Sequence, residues 1–257
     1  VLCPGCPHRA TSFALKKAIK KLKLKEEDII YSSDIGCYAL AIQPPYKMAD
    51  YCISMGSSIG IGCGFAKATN QKVISFIGDS TFFHAGVSPL VNAVHNKDNI
   101  LVVILDNRIT GMTGGQTNPG VPIDGMGNPA PQVSIEGIAK GVGAGFVRTI
   151  DPVDLKKTEE IFKEALQYEG VAVVITKHPC AMITDAENRK KGISIKYTIN
   201  QEKCSKCLIC VKSFTCPAIY IEKDGSVNIN PLLCDGCGVC TQICPCLLYT
   251  SPSPRES

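Results

Sequence analysis

Apolar residues follow two patterns along the first 180 residues of the chain. Continuous runs rich in Val, Ile and Leu predict strands at 27–36, 72–78, 99–107 and 170–177. Apolar positions at helical spacing predict helices at 10–24, 86–96, 134–144 and 151–167, and the Gly-rich segment 56–68 leads into another helix. Because buried strands alternate with helices, the pattern predicts an α/β fold whose mostly parallel sheet is covered by helices.

The pattern changes beyond residue 183. A polar, charged segment at 184–194 is interpreted as a linker, and a compact Cys-rich unit follows at 195–245. We therefore predict an α/β domain at 1–183 and a small second domain at 195–245. The Ser- and Pro-rich tail 246–257 is predicted to be non-native, and Cys246 within it is not expected to be a ligand.

Composition narrows the class of protein. The hydrophobic content of 45% with only 6% aromatic residues suits a core of small aliphatic side chains. The net charge of +4 comes from Lys-rich helices such as 16–25, which are typical of solvated faces, so no nucleic-acid partner is expected. No signal peptide or membrane-length apolar run is apparent, so we expect a cytoplasmic protein with no membrane partner.

Most of the 15 cysteines fall into two runs with metal-binding spacing. The second run matches C-x2-C-x2-C-x3-C-P, the spacing of bacterial two-cluster ferredoxins, in which the fourth cysteine ligates the other cluster. The first run has two extra residues before its fourth cysteine. Crossover therefore predicts two [4Fe–4S] clusters: cluster one on Cys204, Cys207, Cys210 and Cys244, and cluster two on Cys216, Cys234, Cys237 and Cys240.

A hairpin around Asp224-Gly225 is predicted between the two runs, which makes the second domain a small α+β ferredoxin-like unit. Two structural zinc sites are the alternative. Zinc sites usually use paired, well-separated C-x2-C knuckles, so this spacing favours iron.

Two predicted strands end in polar residues that suit a magnesium site. Asp79 follows the strand at 72–78, and Asn107 ends the strand at 99–107. Because the carboxyl ends of parallel strands share one edge, we expect both side chains to offer oxygens to Mg²⁺ there, beside a phosphate held by the Gly-rich loop. A helix cap at Asp79 and a dinucleotide site at "GIGCG" (60–64) are the alternatives; the second lacks the G-x-G-x-x-G spacing.

These motifs together resemble a known family. The segment from "GDS" at 78–80 to "LDN" at 105–107 is similar to the thiamine-diphosphate motif, with Ser80 and Asp106 as substitutions typical of the 2-oxoacid:ferredoxin oxidoreductases. "LDNRITGMTGGQ" (105–116), and "CPGCPHR" (3–9) ahead of a ferredoxin domain, resemble the indolepyruvate ferredoxin oxidoreductase alpha-subunit branch over residues 1–245. That branch also has a variable gap before the cysteine equivalent to Cys216.

The resemblance implies a thiamine diphosphate and Mg²⁺ site. Asp79, Asn107 and the carbonyl of Ile109 would hold Mg²⁺. The predicted cofactor-binding residues, including two from the Gly-rich loop, are Gly56, Ser57, Gly78, Asp79, Ser80, Asp106, Asn107, Ile109, Thr110, Met112, Thr113 and Gly114.

The resemblance also suggests a third cluster near the thiazolium, held by Cys3, Cys6, Cys37 and Cys180. The alternative is that Cys37 and Cys180 are small buried apolar residues, which is how we interpret Cys52 and Cys63. His8, beside the first cysteine pair, is the candidate catalytic residue that would contact substrate or cofactor.

The activity implied is ferredoxin-dependent oxidative decarboxylation of 2-oxoacids, aryl pyruvates such as indolepyruvate above all, to acyl-CoA and CO₂. Coenzyme A, ferredoxin and a second (beta) subunit would be partners, and the pyrimidine-binding domain with its activating glutamate is missing, so the chain is expected to be a C-terminal fragment. Two alternatives remain: a beta-type subunit of a pyruvate or 2-oxoglutarate:ferredoxin oxidoreductase, and a non-catalytic electron-transfer module on a degenerate thiamine-binding scaffold.

Overall fold

A computed structural model describes residues 1–246 and the backbone of residues 249–250. Its main feature is a sheet of five strands in the order β1-β2-β3-β5-β4, with every neighbouring pair parallel. The strands are β1 (Ile29–Ser33), β2 (Lys72–Gly78), β3 (Ile100–Asp106), β4 (Phe146–Ile150) and β5 (Val171–Lys177). This confirms the predicted α/β class.

Helices cover both faces of the sheet. They are α1 (Pro7–Lys21), α2 (Ser57–Ala68), the single turn α3 (Asp79–Thr81), α4 (Val87–His95), α5 (Ile135–Gly141) and α6 (Leu155–Gln167), with a π-helical turn at Phe82–Gly86 joining α3 to α4. Helices α1 and α6 pack on one face, and α2, α4 and α5 on the other. None of the helices in the described part of the chain is both long and apolar enough to cross a membrane.

Two segments differ from the sequence prediction. Strand β4 was not predicted, because it is a short edge strand with exposed Arg148 and Thr149 instead of a continuous apolar run. The segment predicted as a linker is largely helical, since α7 (Ala181–Lys190) runs through it. Its polar residues form an exposed helix in which Arg189 pairs with Asp185 at 2.7 Å, so polarity alone did not indicate an irregular segment. The domain boundaries themselves stay a prediction.

The Cys-rich part combines short helices and strands. The remaining elements are β6 (Thr198–Ile199), α8 (Ile209–Lys212), β7 (Ile219–Ile221), β8 (Val227–Ile229), α9 (Val239–Ile243) and β9 (Tyr249–Thr250). Strands β7 and β8 form the predicted antiparallel hairpin, with Gly225 in a left-handed conformation (φ 81°) at its turn. Apart from Cys246 and the backbone of β9, the predicted non-native tail lies outside the described residues.

The Cys-rich part shares its core with the α/β part. Phe214, Val239 and Ile243 belong to the same buried apolar cluster as Phe13 of α1. The side chain of Gln242 also accepts a hydrogen bond from the backbone N–H of Leu155 (3.0 Å) and donates one to the carbonyl of Val153 (2.7 Å). The predicted ferredoxin unit is therefore docked on α1 and on the start of α6.

Candidate functional site

The site lies at the carboxyl edge of the central sheet, between β2 and β3. The two strands pair in register at Gly78 and Leu105, so the residues that follow each strand are neighbours. The backbone N–H of Arg108 donates a hydrogen bond to Asp79 Oδ2 at 2.9 Å, across the two strand ends. Asp79 and Asn107 therefore lie on the same edge, as the sequence predicted from parallel strands.

Asp79 is a buried carboxylate, only 3% exposed. Burial and the neighbouring charge of Asp106 raise its pKa well above the usual range. Its carboxylate accepts hydrogen bonds from the N–H of Ser80 (2.7 Å) and from Asn118 Nδ2 (3.0 Å). No Lys or Arg in the described residues forms an ion pair with Asp79. A bound cation would offset the repulsion between the carboxylates of Asp79 and Asp106, and the oxygen atoms at this edge suit a hard divalent ion.

A cleft opens at this edge and collects most of the predicted cofactor-binding residues. The tight loop 110–116 closes one side, with the N–H of Thr110 donating to the carbonyl of Gln116 at 2.9 Å. Gly114 comes directly after the lining residue Thr113 and adopts a left-handed conformation (φ 113°). The predicted residues that line the cleft are His8, Cys37, Gly78, Asp79, Ser80, Asn107, Ile109, Thr110, Met112 and Thr113.

Four predicted cofactor-binding residues do not line this cleft: Gly56, Ser57, Asp106 and Gly114. The N–H of Gly56 donates to the fully buried Asp34 at 2.8 Å, and the N–H of Ser57 donates to the carbonyl of Ser54 at 3.2 Å. Their amides are therefore used inside the protein. Asp106 lines a separate pocket with Arg108, and its Oδ1 accepts a hydrogen bond from the backbone N–H of Arg108 at 3.2 Å.

Sequence reasoning missed Tyr38 and Asn118. The hydroxyl of Tyr38 accepts a hydrogen bond from the N–H of Gly78 at 2.9 Å, and a Cβ at position 78 would lie 3.0 Å from its ring. That close approach explains why glycine ends β2. Asn118 is 5% exposed and lies in the long loop between β3 and α5, from which its Nδ2 donates a hydrogen bond to the carboxylate of Asp79. Neither residue belongs to a motif, so only the folded chain identifies them.

His8, the candidate catalytic residue, lies in the wall of the cleft. Its ring packs edge-on against Tyr38 with 5.8 Å between the centroids, and it is 4% exposed. Burial lowers the pKa of His8 to about 4, so the imidazole is neutral near pH 7. A neutral imidazole at the cleft can both donate and accept a hydrogen bond.

The ferredoxin-type cysteines line two separate cavities. One is lined by Cys204, Cys207, Cys210 and Cys244 together with Cys246, and the other by Cys216, Cys234, Cys237 and Cys240. These are the two sets that crossover predicts, and they fit cluster-binding groups. Within the described residues, no three His, Cys, Asp or Glu side chains are positioned to hold a single metal ion, so the fit rests on the shared cavities.

Charge coupling links the cysteines of the second cavity. Burial raises the pKa of Cys237 to about 11, and the charges of Cys216 and Cys234 contribute to that rise. The pKa of Cys240 is also raised, by burial first and then by Cys237, Cys234 and Cys216. The four thiols are therefore close enough to interact electrostatically.

A third cysteine group lies between the cleft and the second cavity. Burial, then Cys180 and Cys3, raise the pKa of Cys37. Burial raises the pKa of Cys6 to about 12, with Cys3 contributing. The structure thus places all four cysteines of the suggested third cluster in one region. Of the other two, Cys63 is buried as expected, whereas Cys52 is exposed, because it lies in the loop after β1 and not in the core.

Comparison with known proteins agrees with this architecture. Residues 34–176 match the family described as thiamine pyrophosphate enzyme, C-terminal TPP binding domain, and residues 196–245 match the 4Fe-4S dicluster domain. The chain therefore belongs to the family of thiamine pyrophosphate enzymes, through its C-terminal TPP-binding domain.

Individual relatives narrow the branch. The chain is 53% identical over 244 residues to indolepyruvate oxidoreductase subunit IorA of Methanothermobacter thermautotrophicus, covering 95% of this chain and 38% of that protein. It is 44% identical over 260 residues to the same subunit of Pyrococcus abyssi, covering 95% and 39%. The resemblance seen in the sequence is confirmed. The chain spans less than two fifths of the length of these curated relatives.

Among solved structures, the fold is shared with the 2-oxoglutarate:ferredoxin oxidoreductase from Magnetococcus marinus that has 2-oxoglutarate, coenzyme A and succinyl-CoA bound. The TM-score is 0.65 at 23% identity, over 70% of this chain and 64% of the other. At that identity the likeness concerns the fold.

Proposed function

We propose that this chain forms the diphosphate-binding and electron-transfer part of a 2-oxoacid:ferredoxin oxidoreductase, with aryl pyruvates such as indolepyruvate as its substrates. The observation that supports this best is that the N-terminal cysteine loop and Cys37 connect the cleft to the second cysteine cavity. Cys37 lines the same cleft as Asp79 and Asn107, and Pro4 and Gly5 of the N-terminal cysteine loop line the second cysteine cavity.

Asp79, Asn107 and the carbonyl of Ile109 would hold Mg²⁺ and, through it, the diphosphate of thiamine diphosphate. Bound thiamine diphosphate supplies the chemistry that removes CO₂ from a 2-oxoacid, and iron–sulfur clusters accept electrons singly. The chain's own residues prepare the site. Asn118 and the N–H of Arg108 orient the carboxylate of Asp79, which is the kind of outer support on which metal affinity depends.

His8 would contact the substrate or the cofactor from the opposite wall. Because burial keeps its imidazole neutral, it would act as a hydrogen-bonding group at neutral pH and not as a fixed positive charge. The surrounding Tyr38 and Ile35 would limit the access of water to this side of the cleft.

The thiolates of Cys3, Cys6, Cys37 and Cys180 would hold the cluster that receives electrons first, and the two ferredoxin-type clusters would pass them on to a ferredoxin. Coenzyme A, a beta subunit and a pyrimidine-binding domain outside these residues would complete the enzyme. Thiolate ligands of this number suit the reducing cytoplasm.

Anaerobic purification with iron, sulfide and thiamine diphosphate quantified tests this proposal. We expect Mg²⁺-dependent binding of thiamine diphosphate, and about twelve irons per chain if all three four-iron clusters form. About eight irons would remove the third cluster from the proposal.

The variant Asp79→Ala should lose thiamine diphosphate binding, whereas Glu164→Ala, on the exposed face of α6, should keep it. Cluster-loaded wild-type protein that never binds thiamine diphosphate would support the non-catalytic electron-transfer alternative. In the complete complex, turnover of pyruvate or 2-oxoglutarate without turnover of indolepyruvate would favour the beta-type alternative.

A further inference from the structure

Arg9 lies at the junction between the α/β part and the Cys-rich part. It is in the first turn of α1 and is only 2% exposed. Its Nη1 donates hydrogen bonds to the carbonyls of Phe214 (3.2 Å) and Thr215 (2.6 Å) and to Thr215 Oγ1 (3.1 Å). Its Nη2 donates to the carbonyls of Leu2 and of Cys3 (3.3 Å). One guanidinium thus ties the N-terminal cysteine loop to the loop that precedes Cys216.

The contacted loop is the part of the first cysteine run that departs from ferredoxin spacing. Five residues separate Cys210 from Cys216, whereas three separate Cys240 from Cys244. The longer loop places Phe214 in the shared core, with its ring 5.5 Å from that of Phe13. Tyr46 also donates a hydrogen bond to the carbonyl of Phe214, at 2.8 Å. The extra length therefore serves to dock the loop.

Thr215 adopts a backbone conformation that β-branched residues avoid, with φ at 54°. Such a conformation persists where the surroundings hold it in place. Here Arg9 holds it by bonding both the carbonyl and the side chain of Thr215. The next residue is Cys216, so Arg9 contacts the residue that directly precedes this predicted cluster ligand.

The charge of Arg9 has no carboxylate partner. Arg9 is absent from the ion pairs of the described residues, its hydrogen-bond acceptors are all uncharged oxygens, and its Nε has no partner. A buried charge without a counter-charge is costly. Arg9 bonds Thr215, which directly precedes Cys216, and it also bonds the carbonyl of Cys3. Thiolates that ligate a cluster would therefore bring negative charge next to Arg9.

We propose that Arg9 is a positioning residue with an electrostatic role: it locks the extended loop against α1 and raises the reduction potential of the cluster held by Cys216, Cys234, Cys237 and Cys240. This rests on the proposed function to the extent that the second cavity binds a cluster. A one-electron reduction makes the cluster more negative, and a buried positive charge stabilises that state. Cluster one serves as an internal reference, since its cavity contains no residue from the first 183 positions.

The experiment compares the whole chain, loaded with iron and sulfide, as wild type, Arg9→Met, Arg9→Gln, Arg9→Lys and Arg148→Met. Arg148 is an exposed arginine on β4 and provides the matched loss of one guanidinium. Iron and sulfide are quantified first, and midpoint potentials are then measured by redox titration followed by electron paramagnetic resonance.

For Arg9→Met and Arg9→Gln we expect one of the two ferredoxin-type cluster signals, that of the second cavity, to shift to lower potential. The ratio of reduced to oxidised cluster at a given potential should fall about tenfold, which is 59 mV for a one-electron couple. The midpoint potential of the other ferredoxin-type cluster should stay close to its wild-type value. In Arg9→Lys and Arg148→Met, the potentials of both ferredoxin-type clusters should stay close to wild type. Arg9→Lys keeps the charge but loses part of the hydrogen bonding, so it separates the electrostatic role from loop anchoring.

Full iron content with unchanged potentials in Arg9→Met overturns the proposal. So does loss of the same iron from all three Arg9 variants while Arg148→Met keeps it, because Arg9 would then be only structural. Wild-type protein that binds no cluster would instead contradict the proposed function.

Discussion

The α/β part and the Cys-rich part of this molecule are stabilised by different means. In the sheet, Val73, Ile74, Val102, Val103 and Val173 are fully buried, and helices cover both faces. Among the described residues, the buried apolar cluster of the Cys-rich part itself contains only Ile219, Val227 and Cys240. The first part can fold on apolar burial, whereas the second is too small to gain comparable stability in that way.

The difference indicates what the Cys-rich part needs. All of its cysteines in the described residues except Cys207 are partly or fully buried. Burial raises the pKa values of Cys216, Cys237 and Cys240, so these three metal-free thiols are protonated near neutral pH. Cluster binding would replace these protons with iron and link the two halves of the unit. Stability in this part should therefore depend on iron and on docking to α1.

Removing iron should produce the largest difference between the two parts. In Cys234→Ala, we expect residues 195–245 to lose most of their protection from hydrogen exchange while β2, β3 and β5 keep theirs, because the proposed clusters would bridge the two cysteine runs. Hydrogen–deuterium exchange with mass spectrometry measures this. Cys63→Ala is the matched control, since Cys63 packs in the α/β core and lies outside both cavities. Equal protection of 195–245 in Cys234→Ala and wild type would show that this part folds without its clusters.

Weakening the docking contact should have the next largest effect. Phe214 is 3% exposed and packs against Phe13, so Phe214→Ala should lower the free energy of unfolding by about 3 kcal/mol. Tyr220→Ala, an exposed aromatic residue on β7, should change it by less than about 0.5 kcal/mol. Chemical denaturation of the iron-loaded proteins gives both values. A loss as small in Phe214→Ala as in Tyr220→Ala would mean that the Cys-rich part does not depend on the α/β core.

A change at the sheet edge should affect only the α/β part. In Asn118→Leu the carboxylate of Asp79 loses a hydrogen-bond donor, so Mg²⁺-dependent affinity for thiamine diphosphate should fall at least about tenfold. Iron content should be unchanged. Isothermal titration calorimetry measures the affinity, with Asn96→Leu at the exposed end of α4 as control. Wild-type affinity in Asn118→Leu would show that Asn118 supports the conformation of its loop and does not contribute to cofactor binding.

Local patterns predicted one set of features and contacts distant in sequence decided another. The apolar run 72–78 matches β2, and the parallel sheet brought Asp79 beside the end of β3 as expected. Cysteine spacing also predicted which thiols share a cavity. The amides of Gly56 and Ser57 looked available for a phosphate because the sequence does not show that the fold pairs them with Asp34 and with the carbonyl of Ser54.

The acceptor of Gly56 is Asp34, which is 22 residues away. Tyr38 lies 40 residues from Gly78 and Asn118 lies 39 residues from Asp79, and Arg9 contacts a loop more than 200 residues away. No periodicity or spacing encodes such contacts. The helix α7 was missed for a different reason, since a solvated helix and a polar linker have similar composition.

The smallest expected effect concerns the contact between α6 and α1, where Glu159 of α6 is 3% exposed and accepts hydrogen bonds from Lys17 and Lys21 of α1. Burial alone would raise the pKa of Glu159, but the two lysines outweigh it and the pKa is lowered below the ordinary 4.5. A carboxylate with a lowered folded-state pKa adds stability above its unfolded pKa, and that stability disappears as the pH falls through the folded value.

Glu159→Gln should therefore lower the free energy of unfolding by about 1 kcal/mol at pH 7, a modest value because both lysines are partly solvated. The difference from wild type should shrink as the pH falls below 4.5. Urea unfolding followed by circular dichroism at each pH measures this, and comparing two proteins at one pH cancels the effect of acid on the clusters. Glu160→Gln, on the exposed side of the same helix, should show no such pH-dependent difference. A destabilisation in Glu159→Gln that stays constant down to acid pH would attribute the contact between α1 and α6 to apolar packing instead of to this ion pair.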